Sequence, residues 1–497
     1  MLKGSYNITP GLESADMRTQ RKWLYICAAV LILIMGIGIW QEFYYVLLLP
    51  FILAVFWAAF FKLEWLWYFI VFFTPLSINL EEMKLGGIGM ALPTEPLLFG
   101  ILILFFFKLL SGNSIDKRIF HHPISYVIYA YLAWMVLTCI TSEIPIVSIK
   151  YVLTRMWFIA SFYFIATHLF KDEKNMQRYL LCYFFPLCAV IIYTVIRHSQ
   201  YGFDKTSGHW VMEPLFKDHT SYGAVLAMYF PVVIGLLMRK HMNLLLRVLL
   251  TIGFVILTVG IILSYTRAAW LSIAGIMGIL VVMLLRIRLR TALLALLVSG
   301  TFVYLSWDDL QVALSRNKQD SSDKLEEHVT SMSNVSSDAS NLERLNRWNC
   351  AIEMFKERPM VGWGPGTYQF VYAPFQRSKD LTIISTRQGN GGNAHSEYLG
   401  PLCEQGVLGM ALFIALLLGV SQLAFRLFYH LRERNLKLLV GSTYLGLMTY
   451  YIHGVLNNYL DLDKASIPFW GFTAILVAID LYHKKKGEPT EKVKPQA

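Results

Sequence analysis

The chain has 497 residues, of which 56% are hydrophobic, 14% aromatic and only 15% charged, with a mean hydropathy of +0.49. A soluble domain carries nearer a quarter of charged residues, so this composition excludes a soluble enzyme and indicates an all-α polytopic membrane protein. The net charge of +11 does not point to a nucleic-acid partner, because the basic residues cluster in short loops between apolar stretches, as the positive-inside rule expects.

The apolar blocks run about 17–22 residues, the length that crosses about 30 Å of hydrocarbon at 1.5 Å per residue. Residues 1–22 form a polar lead ending in Arg18, Arg21 and Lys22; it shows no cleavable signal peptide and reads as cytoplasmic. Spans are then expected at 23–40, 44–61, 65–80, 92–110, 123–140, 151–170, 179–196 and 222–238. A ninth ends at 263, and two more lie at 268–285 and 291–307, closing a first membrane block over 23–307. A long hydrophilic segment, 308–397, follows. Three further spans at 398–425, 438–456 and 466–482 make up a second block over 398–482, before a basic tail at 483–497. This makes about 14 transmembrane helices. If both termini are cytoplasmic, the basic runs at 239–247, 286–290, 426–437 and 484–486 all fall inside. The 197–221 loop, the turn at Arg267, the long segment and the 453–464 loop then fall outside.

Within the long segment, 320–340 is rich in Ser and Asp and is expected to be mobile. From Asn341 the pattern changes. Leu345, Trp348, Ile352 and Phe355 recur at helical spacing, and Pro359 ends that helix. Gly362, Gly364 and Gly366 make a turn, and Tyr368, Phe370, Tyr372 and Phe375 follow. This half is expected to be ordered and packed on the membrane surface.

Several residues have chemistry to offer. Arg267 ends a span with no basic neighbour in sequence. It is either an anion site, with planar donors suited to phosphate, or an arginine snorkelling to the interface. Arg344 and Arg347 lie on the loop helix beside Trp348; Arg347 reads as a solvated charge, and Arg344 is open between that and a site. His395 stands just before a span, either as an interface residue or as a general base. Glu404, near the start of that span, either orients His395, pairs with an arginine, or is a carboxylate at a helix end. Glu397, seven residues earlier, is expected on the same helical face. His219, beside Asp218, is a further imidazole on the outer side. Asp461 and Asp463 have a spacing that can hold a divalent cation, although Lys464 follows directly. The six cysteines have neither metal nor disulfide spacing, and no phosphate-binding or dinucleotide motif is present. No metal and no cofactor are therefore expected.

Taken together, Arg344 and Trp348, then Pro359, Gly362 and Gly364, then His395, Tyr398, Glu404, Gly406 and Gly409 resemble the shared signature of the O-antigen ligase family. The Ser264–Trp270 turn is similar to that family's short outer turn with its arginine. The resemblance is specific over about 216–413. It implies a C-type glycosyltransferase-like membrane enzyme with one large, partly helical periplasmic loop, in a bacterial inner membrane. Such an enzyme moves a preassembled glycan from undecaprenyl diphosphate to an acceptor. Arg267 and Arg344 would hold the diphosphate and His395 would deprotonate the acceptor hydroxyl, without metal. Glu404, Arg347, Trp348, Tyr398 and His219 would support them. The implied partners are the undecaprenyl-diphosphate-linked glycan donor, a lipid A–core acceptor and membrane lipids. An O-antigen ligase is the expectation. The alternatives are an O-antigen polymerase, a protein O-oligosaccharyltransferase and, from a different class, a transporter of lipid-linked sugars.

Overall fold

The computed structural model describes residues 10–79, 91–111, 115–305, 339–377, 388–389 and 391–484. Most of the Ser/Asp-rich stretch expected to be mobile, 320–338, lies outside the described residues, as does the tail beyond 484. The chain divides into two units, 1–67 and 68–497.

The first unit contains α1 (Pro10–Trp40), a 3-10 turn (Tyr44–Leu48) and α2 (Leu49–Phe61). The Phe43 N–H donates to the Gly38 carbonyl at 2.8 Å and folds the chain back after α1. α3 (Leu63–Phe73) runs across the boundary between the units. A span was expected over 65–80, but α3 stops at Phe73. Its 11 residues reach only about 16 Å. Pro75 cannot continue the helix, and Ile78–Asn79 instead pairs antiparallel with Ala91–Leu92.

The second unit is helical almost throughout. It comprises α4 (Thr94–Leu110), α5 (Pro123–Ile140) and α6 (Pro145–Ile159), the last continuing through a π turn to Leu169. Then come α7 (Glu173–Ser199), α8 (His219–Leu237), α9 (Leu244–Leu263), α10 (Arg267–Leu284) and α11 (Leu289–Leu305). α12 (Ala339–Glu357) belongs to the long hydrophilic segment. α13 (Leu399–His430), α14 (Arg434–His453) and α15 (Asp463–Ala478, running on to His483) complete the chain. Among the described residues nine helices are long and apolar enough to cross a membrane. Other expected spans are helical but shorter, such as α4 with 17 residues, or more polar, such as α14. The protein is an all-α, multi-pass membrane protein.

At the centre α8 packs on α14, flanked by α10 and α15, while α5 packs on α13. The helices approach closely where a side chain is missing: a Cβ on Gly446 would lie 2.5 Å from the Met228 carbonyl oxygen. Small residues at such crossings let membrane helices gain dispersion contacts that lipid does not supply.

α12 ends before Pro359, where the spacing places it. Its buried side is not the expected apolar stripe. Glu343, Asn346, Arg347, Cys350, Ala351 and Met354 are buried, and Ile352 is 37% exposed. A polar pair is tolerated inside because Arg347 Nε donates to Glu343 at 2.7 Å, one helical turn away. Cys350, Ala351 and Met354 form a small core with Tyr368, Tyr372, Ala394 and Cys403, which docks the loop helix on the start of α13.

α13 is two helices joined at Gly406, whose φ of 72° and ψ of −172° are non-helical. The break frees carbonyls that a continuous helix would use internally. The Cys403 carbonyl receives the Trp363 N–H at 3.1 Å, Glu404 receives Gly364 at 2.8 Å, and Gln405 receives the Trp134 indole at 2.8 Å. On the far side, the Val407 N–H donates to Pro359 at 3.0 Å. Gly362 and Gly406 face each other's backbones. A Cβ on Gly362 would meet the Glu404 carbonyl carbon at 2.3 Å, and one on Gly406 would meet the Met360 oxygen at 2.1 Å. The glycines at 362 and 364 and the Glu404–Gly406 pair are thus two sides of one strap.

Candidate active site

The N-terminal end of α8 gathers the polar groups. Asp218 caps the helix: its Oδ1 accepts from the Ser221 N–H and from the Thr220 hydroxyl, both at 2.7 Å. His219 follows, its ring stacked on His209 at 4.2 Å between centroids. The Thr266 hydroxyl donates to the His219 carbonyl at 2.7 Å. That bond fixes the turn before α10 and sets Arg267, the first residue of α10, beside the α8 terminus. Thr220 is also hydrogen-bonded to the Tyr459 hydroxyl.

His395 arrives on the segment that leads into α13. Its backbone is left-handed, with φ of 49°, an uncommon conformation for a residue with a Cβ. Two bonds hold it there: the His395 N–H donates to Asn393 Oδ1 at 3.1 Å, and the Trp348 indole donates to the His395 carbonyl at 3.2 Å. Among the described residues neither ring nitrogen has a hydrogen-bond partner, so the half-buried imidazole is left for another molecule. Burial pushes its pKa from 6.5 down to about 4, and the charges of Arg344 and Arg347 add to that, opposed by Asp218 and Glu343. The ring is neutral at pH 7 and able to take a proton. Arg344 lies close enough for its charge to act on His219, His395 and His453.

The structure therefore brings His395, Arg344 and His219 into one cluster, with the Arg267 turn tied to His219. The remaining predicted residues form the frame. Trp348 holds the His395 backbone. Arg347, expected to be solvated, is 2% exposed: it pairs with Glu343, donates to the Gly392 carbonyl at 3.1 Å and lies 4.1 Å over the Tyr372 ring. Tyr398 donates its hydroxyl to the Tyr451 carbonyl at 2.8 Å. Glu404 accepts from the Tyr368 N–H at 3.0 Å and so serves the glycine turn. Glu397 does not share a helical face with Glu404, because it precedes α13. Its Oε1 accepts from the N–H groups of Tyr459 and Leu460 at 2.7 and 2.9 Å and from the Tyr450 hydroxyl at 2.5 Å. Of the acidic pair, Asp463 Oδ2 accepts from Ser77 and Thr94, both at 2.7 Å, while Oδ1 faces Lys464 at 3.7 Å. Asp461 is exposed. Among the described residues no group of three or more His, Cys, Asp or Glu could hold a metal ion.

Residues 252–414 match the family model described as O-Antigen ligase. The match covers about a third of the chain and makes that segment similar to an O-antigen ligase domain. No curated protein matches it. Members of the O-antigen ligase family are glycosyltransferase-like enzymes that take a lipid-linked glycan donor and an acceptor. The matched segment holds Arg267, Arg344, His395, Glu404 and Gly406, but not Asp218, His219, His453 or Tyr459, which folding adds to the same cluster.

Three residues of this region do not stand out in the sequence. Asp218 was seen only as a neighbour of His219, although Asp before a helix is a capping signal. His453 marks only a loop boundary in the sequence, yet it is buried and bonded through Nε2 to Asn457 at 3.1 Å. Arg155, in the middle of an apolar stretch, is 4% exposed; it donates to the Leu460 carbonyl and to the Tyr151 hydroxyl. A lone arginine inside a span was the available signal.

Proposed function

We propose that the protein is an O-antigen ligase of a bacterial inner membrane, moving a glycan from undecaprenyl diphosphate to a sugar hydroxyl of lipid A–core at the periplasmic face. The observation that carries this reading is the neutral, unengaged imidazole of His395 within reach of the Arg344 charge. His395 takes the proton of the acceptor hydroxyl, and the oxygen attacks the anomeric carbon of the donor sugar. The bond from that carbon to the diphosphate oxygen breaks, and undecaprenyl diphosphate leaves with the electron pair. Arg344 and Arg267 hold the diphosphate and stabilise the charge that develops on it. No metal is required, since the two guanidinium groups supply the positive charge. Arg347, Trp348, Tyr398, Glu404 and His219 hold these groups in place.

The test is transfer by purified protein in detergent or nanodiscs, with undecaprenyl-diphosphate-linked glycan as donor and lipid A–core offered or withheld. Glycan on lipid A–core, lost in His395→Ala, is the expected result. Longer chains on undecaprenyl diphosphate without added acceptor would make the protein a polymerase. Donor binding with no transfer to either would favour a protein acceptor or a transporter.

A further inference from the structure

An open cleft lies next to the histidine cluster, at the N-terminal ends of α4, α8 and α15. Its lining includes Glu95, Lys217, Asp463 and Lys464, two acids and two bases whose formal charges balance. That argues against a phosphate as its occupant. Asp463 and Lys464 are already engaged: Asp463 by Ser77 and Thr94, and Lys464 Nζ by the Ser77 hydroxyl and carbonyl at 2.7 and 2.9 Å. Glu95 is half-buried and accepts a hydrogen bond from the Ala91 backbone, and Lys217 is exposed. These two are left to meet a ligand, one as acceptor and one as donor. Leu215, Phe216 and Leu462 supply apolar wall between them. Donor and acceptor set around an apolar wall, without net charge, is the chemistry of a sugar ring, whose hydroxyls donate and accept while its C–H faces are apolar.

The cleft shares a wall with the candidate base. Tyr459 lines it and is bonded to Thr220, which is bonded to Asp218, whose charge acts on His395. Lys217 faces the cleft from the residue before Asp218. On the transfer reading above, on which this inference rests, we infer that the cleft is the acceptor-sugar subsite, with Glu95 and Lys217 binding hydroxyls of the ring that is not glycosylated. The subsite sets which acceptor hydroxyl reaches His395.

Two variants test it, Glu95→Gln and Lys217→Met, each keeping side-chain size. The expected result is a rise of about tenfold in acceptor KM for either, as for a lost hydrogen bond to a charged group, with donor KM unchanged. In parallel, binding of core oligosaccharide freed from lipid A is measured by saturation-transfer NMR on wild type and both variants. Weakened binding in the variants supports the subsite. Oligosaccharide binding and acceptor KM equal to wild type in both would overturn it, as would a rise confined to donor KM. If wild type binds oligosaccharide, the variants do not, and no protein transfers glycan, the subsite stands and the transfer reading falls.

Discussion

At the residue scale, the proposed reaction depends on holding one imidazole neutral. His395→Ala should lower transfer by about 10²- to 10⁴-fold with donor binding retained, measured as single-turnover rate beside equilibrium binding. With the ring's pKa lowered to about 4, the proposed base would stay neutral across the neutral range. The acid limb of kcat/KM should fall near pH 4 rather than 6.5. The sign for stability follows from the same shift. The unfolded chain takes the proton at about 6.5 and the folded chain only near 4, so acidification through that window favours unfolding. Arg344 is one cause of the lowered value, after burial. Arg344→Ala should therefore abolish transfer and also raise the His395 pKa, read as the pH dependence of its modification by diethyl pyrocarbonate. An unchanged titration would separate Arg344 from the histidine.

At the element scale, the break in α13 joins the two parts of the site. Three carbonyls released at Gly406 are taken by Trp363, Gly364 and Trp134, so the glycine turn and α5 are both tied to the entry to α13. Gly406→Ala adds a Cβ against the Met360 carbonyl at a left-handed φ. It should cost about 2 kcal/mol or more, seen as a lower Tm in detergent. Glu397 does similar work for the loop between α14 and α15. Its carboxylate takes the N–H groups of Tyr459 and Leu460, while Arg155 takes the Leu460 carbonyl from α6. Glu397→Ala leaves those buried donors unmatched, a loss of about 1–3 kcal/mol, and should loosen Tyr459 in hydrogen exchange.

At the scale of the whole molecule, the histidine cluster sits at one end of the bundle, assembled from α8, α10, α12, the entry to α13 and the loop after α14. The positive charges in the loops around Arg239, Arg286 and Arg432 are those the positive-inside rule expects on the cytoplasmic side, and on the proposed reading the cluster then faces the periplasm. Single cysteines introduced at Lys217 and at Lys240 should react with a membrane-impermeant maleimide from the periplasm only at 217. Transfer should also persist in excess chelator; loss with rescue by magnesium would bring Asp461 and Asp463 back as ligands.

The sequence by itself determined the membrane class and the spacing of most helices, and it singled out Arg267, Arg344 and His395 as candidates, because apolar length and the signature from Arg344 to Gly409 are local properties of the chain. It also placed α12, yet not its buried face, because burying Glu343 with Arg347 depends on their pairing and not on hydropathy. It extended α3 through Pro75, where a proline outweighs apolar composition. Only the tertiary structure decided that Glu404 serves a glycine turn, that Glu397 serves a loop some 60 residues away, and that Asp218 and Tyr459 join the histidine to a cleft. Those contacts link groups far apart in sequence, and no periodicity within a single helix encodes them.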